Sequence, residues 1–122
     1  MSHLDATADL LEVARTTLRT AVLPHVAADG RYEAAMVANA IAIAARELEL
    51  GPKARAEERE LLAGFYATPD ASLAELRRRL CQELRSGALD DAREATLRAL
   101  LRRFVHARLA ISNPAYGGTA QP

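Results

Sequence analysis

The chain has 122 residues, the length of one domain with one hydrophobic core rather than two. Half of its residues are apolar and 26% charged, Trp is absent, and Ala and Leu abound, a composition that favours helices. Sixteen basic residues balance 16 acidic ones, so no long-range field draws the protein to nucleic acid or to an anionic membrane.

Apolar residues at helical spacing, Leu11, Ala14, Leu18, Ala21 and Val22 with Leu10 widening the stripe, predict a first helix from Thr7 to about Leu23. Pro24 ends or kinks it, and Ala27 to Gly30 make a turn. A second helix is predicted from about Arg31 to Leu50, closed by Gly51 and Pro52, the first tolerating a left-handed cap and the second unable to continue. Met36, Val37, Ile41, Ile43 and Leu48 spread round it, which suits a central helix contacted on several sides.

Pro52 then opens a third helix, whose charged stretch KARAEERE reads as a solvated face with weak pairs three and four residues apart. Its buried end is Leu61, Leu62, Phe65 and Tyr66. TPDAS breaks the chain, and Ser72 with Glu75 has the spacing of a capping box for a fourth helix carrying Leu73, Leu76, Leu80 and Leu84 up to Ser86 and Gly87. Asp90 or Asp91 opens a fifth helix, with Leu97, Leu100, Leu101, Phe104, Val105, Leu109 and Ile111, until Asn113 and Pro114. No strand alternation, repeat or low-complexity linker appears. The expectation is an all-α, single-domain bundle of about five helices over residues 1–113, followed by a flexible tail over 114–122.

Polar residues inside the apolar runs are the candidate site. At about 100° per residue, with Met36 at zero, Glu47 lies at about 20° and Ile43 at about 340°, in the middle of an apolar face. With Leu97 at zero on the fifth helix, Arg108 is misplaced in the same way, at about 20° between Phe104 and Leu101. An uncompensated buried charge costs several kcal/mol, so the expectation is that the second and fifth helices pack and Glu47 pairs with Arg108 in a dry seam. Asn39 and Arg46, seven residues apart at the border of the same face, bridge to a neighbouring loop or bind a ligand. The cluster Asn39, Arg46, Glu47 and Arg108 is read as specifying packing rather than as catalytic, because a carboxylate flanked by arginines makes a poor general acid.

Other chemistry has little footing. His106 projects away from the apolar stripe, and His3 and His25 offer no HxxxH or HExxH spacing, so no metal is expected. Cys81 is alone, which excludes an internal disulfide, suits a reducing cytoplasm and reads as a small core residue. Arg77, Arg78 and Arg79 spread round their helix as a solvated face. There is no glycine-rich phosphate loop and no cofactor motif. The segment MSHLDATADL lacks the pattern of a secretory signal, and the run AAMVANAIAIAA is too short to cross a membrane.

Two segments, VANAIAIAARELELGP and HARLAISNPAY, resemble a bacterial domain-of-unknown-function family of small helical proteins. Its members occur beside or fused to aminoglycoside-phosphotransferase-like kinases, among genes for acyl-CoA dehydrogenases. Its distinctive positions correspond to Asn39, Arg46, Glu47, Leu48, Gly51 and Pro52, then Arg108, Asn113, Pro114 and Tyr116. The resemblance implies a non-catalytic accessory protein for such a kinase, in hydroxyacyl-CoA catabolism; the cytoplasm is the location that the lone cysteine and the absence of a secretory pattern suggest. A kinase's own phosphate loop and catalytic acids are missing from this sequence. Asn113 and Tyr116 are then either a helix cap and a ring folded back on the bundle, or contacts to the partner. The alternative function is a small-molecule protein or enzyme that binds an acyl or phosphorylated group between the second and fifth helices. A homo-oligomer is compatible with either reading.

Overall fold

The computed structural model describes residues 3–119, and side-chain environments from Ala6 to Tyr116. The described residues are all-α, with five α-helices and no strand: α1 His3–Thr17, α2 Arg31–Tyr66, α3 Leu73–Ser86, α4 Asp91–Ser112 and α5 Pro114–Thr119. The chain divides into two compact units, one of Met1–Pro52 with Ile111–Pro114, the other of Lys53–Ala110 with Ala115–Pro122.

In the first unit, α1 runs into a π-helical segment, Leu18–Val22, closed by the Leu23 amide donating to the Leu18 carbonyl. The Thr20 hydroxyl donates to the Thr16 carbonyl at 2.8 Å, a side-chain bond that competes with the regular backbone ladder at this point. Pro24 sits in the first turn of a short 3-10 segment, Leu23–His25, where an absent amide proton is no loss. Val26 turns to extended geometry, and Arg31 clamps the bend by donating from Nε to the Val26 carbonyl at 3.1 Å. Gly30 packs closely under the bend: a Cβ there would meet Val26 Cγ1 at 3.1 Å, so that methyl would have to shift by a few tenths of an ångström.

The largest departure from the sequence reading is α2. Gly51 and Pro52 do not end the second helix: α2 is 36 residues long in all, Arg31–Tyr66, absorbing the predicted third helix, with Pro52 inside it. Proline clashes chiefly with the Cβ and amide of the residue before it, and Gly51 has no Cβ. Pro52 still lacks the amide that would bond the Leu48 carbonyl. The dipeptide therefore marks the border between the two units rather than a helix end.

The second unit is built as expected from its caps. The Ser72 hydroxyl accepts from the Glu75 amide at 3.1 Å while the Glu75 carboxylate accepts from the Ser72 amide, so the capping box is complete. Asp90 accepts from the Arg93 amide at 2.8 Å to start α4, and Gly87, at φ 66°, closes α3 in the left-handed region. The end of α2 uses the same left-handed device without a glycine. Ala67 has φ 52°, with its amide donating to the Gly64 carbonyl and that of Thr68 to the Ala63 carbonyl. This is a Schellman closure that pays the steric penalty of a Cβ. Arg59 holds the loop beyond it by donating to the carbonyls of Pro69 and Ala71 at 3.2 and 2.9 Å.

The core of this unit is Leu62, Ala63 and Tyr66 from α2, Leu76 and Leu80 from α3, and Leu97 from α4, with Phe65, Leu73, Leu101 and Phe104 packed around it. The stretch expected to be a merely solvated face ties the helices together. Glu58 receives Arg77 of α3 at 2.6 and 2.7 Å, and Glu57 receives Arg103 of α4 at 2.5 Å. Arg77 and Arg79 are likewise committed rather than simply solvated, the latter lying 4.5 Å over the Tyr66 ring.

Beyond Asn113 the chain re-enters a helix, because Pro114 suits the first helical position. Part of the predicted tail is thus α5, while residues 120–122 lie outside those described.

Candidate functional site

The two sides of the first unit's cleft come from α1 with its π-helical extension and from α2. Ala8, Ala42 and Ala45, each under 10% exposed, form its floor, and the cleft encloses about 750 Å³. Asp9, Glu12, Arg15 and Arg19 line it from the first side at spacings of three, three and four residues, which keeps them on one helix face. Asn39, Arg46 and Glu49 line it from α2 in the same way. Small side chains on the floor leave the volume, and the polar walls give it chemistry.

Two of its arginines are fixed. Arg46, half-buried, donates from Nε to the carbonyl of Ile111 at 2.7 Å. Ile111 lies in the last turn of α4, where carbonyls have no intrahelical partner and a cation is favoured by the helix dipole. Arg15 donates to Glu12 one turn away, at 3.1 Å from Nη2 and 3.3 Å from Nε. Held by Nε, the Arg46 guanidinium retains its terminal amino groups as donors in a planar fork, suited to a carboxylate or phosphate.

The sequence-predicted residues divide accordingly. Asn39 and Arg46 line the same cleft, and Arg46 bridges to the last turn of α4 rather than to the loop expected for it. Glu47 and Arg108 need a correction. Arg108 is exposed and Glu47 half-buried, so neither is the fully buried charge that the helical projection implied. The wheel projection failed because it treats every neighbour of an apolar face as buried, whereas Val105 on the same helix is 57% exposed. Neither Glu47 nor Arg108 lacks interactions.

Sequence reasoning missed Asp9, Glu12, Arg15, Arg19 and Glu49. The three- and four-residue spacing of the charges on α1 was the available signal, passed over because a charged helix face ordinarily points to solvent. Cys81 also needs correction: it is exposed rather than part of the core. His25 and His106 are exposed, and the side chain of His3 lies outside the described environments. Tyr116 is 58% exposed, and Asn113 separates α4 from α5.

In the second unit the notable polar cluster surrounds Tyr66, whose ring meets Phe65 edge-on at 4.9 Å. Arg93 lies 4.6 Å over Phe65 and pairs with Glu83 at 3.1 Å. Burial first, and then the neighbouring Glu83 carboxylate, push the Tyr66 phenol up to about 12, against the opposing pull of Arg79 and Arg93. Its hydroxyl lies near Glu83 without a hydrogen bond of full geometry. A phenol so held stays neutral and packs; it is no base at neutral pH.

No helix among the described residues is long and apolar enough to cross a membrane, and no group of three or more His, Cys, Asp or Glu is placed to hold a metal ion. The chain matches the family described as Domain of unknown function (DUF6285) over residues 24–116. No curated protein and no solved structure matches it.

Proposed function

The chain belongs to the DUF6285 family, and from that premise we propose that it is a non-catalytic interaction module acting in the cytoplasm. The observation that carries this reading is the apolar surface of the first unit. Leu10 and Val13, three residues apart on α1, are 68% and 62% exposed. Tyr32 and Met36, four residues apart on α2, are 72% and 54% exposed, with Val37 beside them at 52%. Apolar residues left singly at a surface need no explanation, but pairs at helical spacing make continuous faces of the kind that partners cover. The partner class is an aminoglycoside-phosphotransferase-like kinase, supported by the resemblance of VANAIAIAARELELGP and HARLAISNPAY to proteins found beside such kinases. The associated chemistry is hydroxyacyl-CoA catabolism, and Asn113 with the exposed Tyr116 are secondary contacts.

The test is capture of an aminoglycoside-phosphotransferase-like kinase from the source cell by the tagged chain, with the kinase's turnover of acyl-CoA esters measured with and without it. Tyr32→Glu with Met36→Lys is expected to weaken capture at least about tenfold, as central interface residues do, without unfolding the chain, since both side chains are exposed. Unaltered capture by that variant, or kinase solubility and turnover indifferent to the chain, rejects the reading. A second reading, binding of a small molecule through Asn39 and Arg46, is favoured by the cleft that these two residues share with α1.

A further inference from the structure

We propose that the cleft between α1 and α2 is a binding site for a small molecule with a single oxyanion head, a carboxylate or a phosphate monoester. The side chain of Arg15 is 31% exposed against 48% for its partner Glu12, and Arg46 is half-buried, while Arg19 and the acids Asp9, Glu12 and Glu49 are exposed. Screening weakens exposed charges more than partly buried ones, so the inner lining is effectively cationic although the formal charges of the walls balance.

Arg46 is also held in place by something other than an acid. Its Nε bond to the Ile111 carbonyl, at the negative end of the α4 dipole, leaves Arg46 a cation with no carboxylate bonded in that contact and sets its orientation before any ligand arrives, which lowers the ordering penalty of binding. Arg19 adds a second cation from the π-helical segment, an irregularity that recurs at functional sites in helices. Asn39 supplies a neutral donor and acceptor. The volume of about 750 Å³ suits a metabolite-sized molecule.

The acids set the specificity. Asp9 and Glu49 at the rim repel a second anionic group, which excludes polyphosphates and nucleic acid, and they accept from hydroxyl or amino groups on the rest of the ligand. The ligand is therefore a hydroxylated or aminated monoanion or monoester.

The test follows the arginine Nε–H resonances of the full chain by NMR at low ionic strength, titrating inorganic phosphate, glycerol 3-phosphate and glycerate separately. Saturable shifts at Arg19 and Arg46 are expected with at least one probe. Arg46→Gln and, because Arg19 is exposed and safe to change, Arg19→Gln should each weaken that binding at least about tenfold, whereas Arg78→Gln on α3 should leave it within about twofold. Saturation by the two phosphates alone assigns a phosphate ester, by glycerate alone a carboxylate, and by all three an oxyanion of either kind. Shifts that rise linearly with every probe, or binding unchanged in Arg19→Gln, overturn the site. The measurement uses the chain alone, so its failure and the failure of partner capture are separate results.

Discussion

The two units are held together by different means. In the first, the buried apolar residues are Ala8, Ala38, Ala42, Ala45 and Ile111, while Leu10, Val13, Met36 and Val37 stay outside. In the second they are Leu62, Leu76, Leu80, Leu97, Tyr66 and Ala63. A fully buried leucine contributes about 1.5–3 kcal/mol and a methyl group only a fraction of that, so the second unit draws its stability from apolar mass and the first from close approach of small residues. Of the first unit's large apolar side chains Ile111 is buried, whereas Leu10, Val13, Met36 and Val37 are left available for something else.

Each unit should therefore break in its own way. Leu62→Ala, at a fully buried position, should destabilise by about 2–5 kcal/mol through lost burial and the cavity left behind, read from urea denaturation. Ala38→Leu, also fully buried, should cost about 1–3 kcal/mol by overpacking, so the first unit is damaged by enlargement where the second is damaged by removal. A neutral Ala38→Leu would show that the alanine contacts are loose and the contrast false.

Smaller changes sharpen the second unit's side of the comparison. Ala67→Gly should stabilise by about 1 kcal/mol, because it removes the left-handed penalty at φ 52°, and a loss of stability there would refute the strain. The Arg77 and Glu58 pair should show a coupling of only about 0.2–1 kcal/mol in a double-mutant cycle, since Arg77 is 52% exposed and its field is screened.

Tyr66→Phe should be nearly silent at neutral pH and visible only in alkali. An unfolded phenol ionises near 10.0 and the folded one near 12. The stability is thus intact below about pH 10 and is lost progressively as pH rises toward about 12, because only the unfolded state gains from ionising. Denaturation midpoints at about pH 9 and about pH 11 should fall for the native chain and fall less for Tyr66→Phe. Equal falls would mean the phenol is not held neutral.

Much of the second unit was legible in advance. Ser72 with Glu75, Asp90, and Gly87 act within one turn of their own position, and Leu76, Leu80 and Leu97 sit where their spacing placed them. The first unit was less legible. Its cleft needed the charged face of α1 to meet the Asn39 and Arg46 face of α2, and nothing in either stretch states which face of the other it will meet. Arg46 was singled out by its misplaced charge, but its partner is a backbone carbonyl 65 residues away, a group every residue carries.

The amino-acid sequence by itself determined that the chain is helical, where α3 and α4 begin and where α3 stops, since capping bonds and backbone sterics operate among residues a few positions apart. Tertiary structure alone decided that Arg108 and Cys81 lie outside, and that Glu57 and Glu58 join helices instead of decorating one. Those outcomes depend on which surfaces are covered by distant residues. A local rule sees only what a side chain can reach along its own helix, not what arrives to cover it.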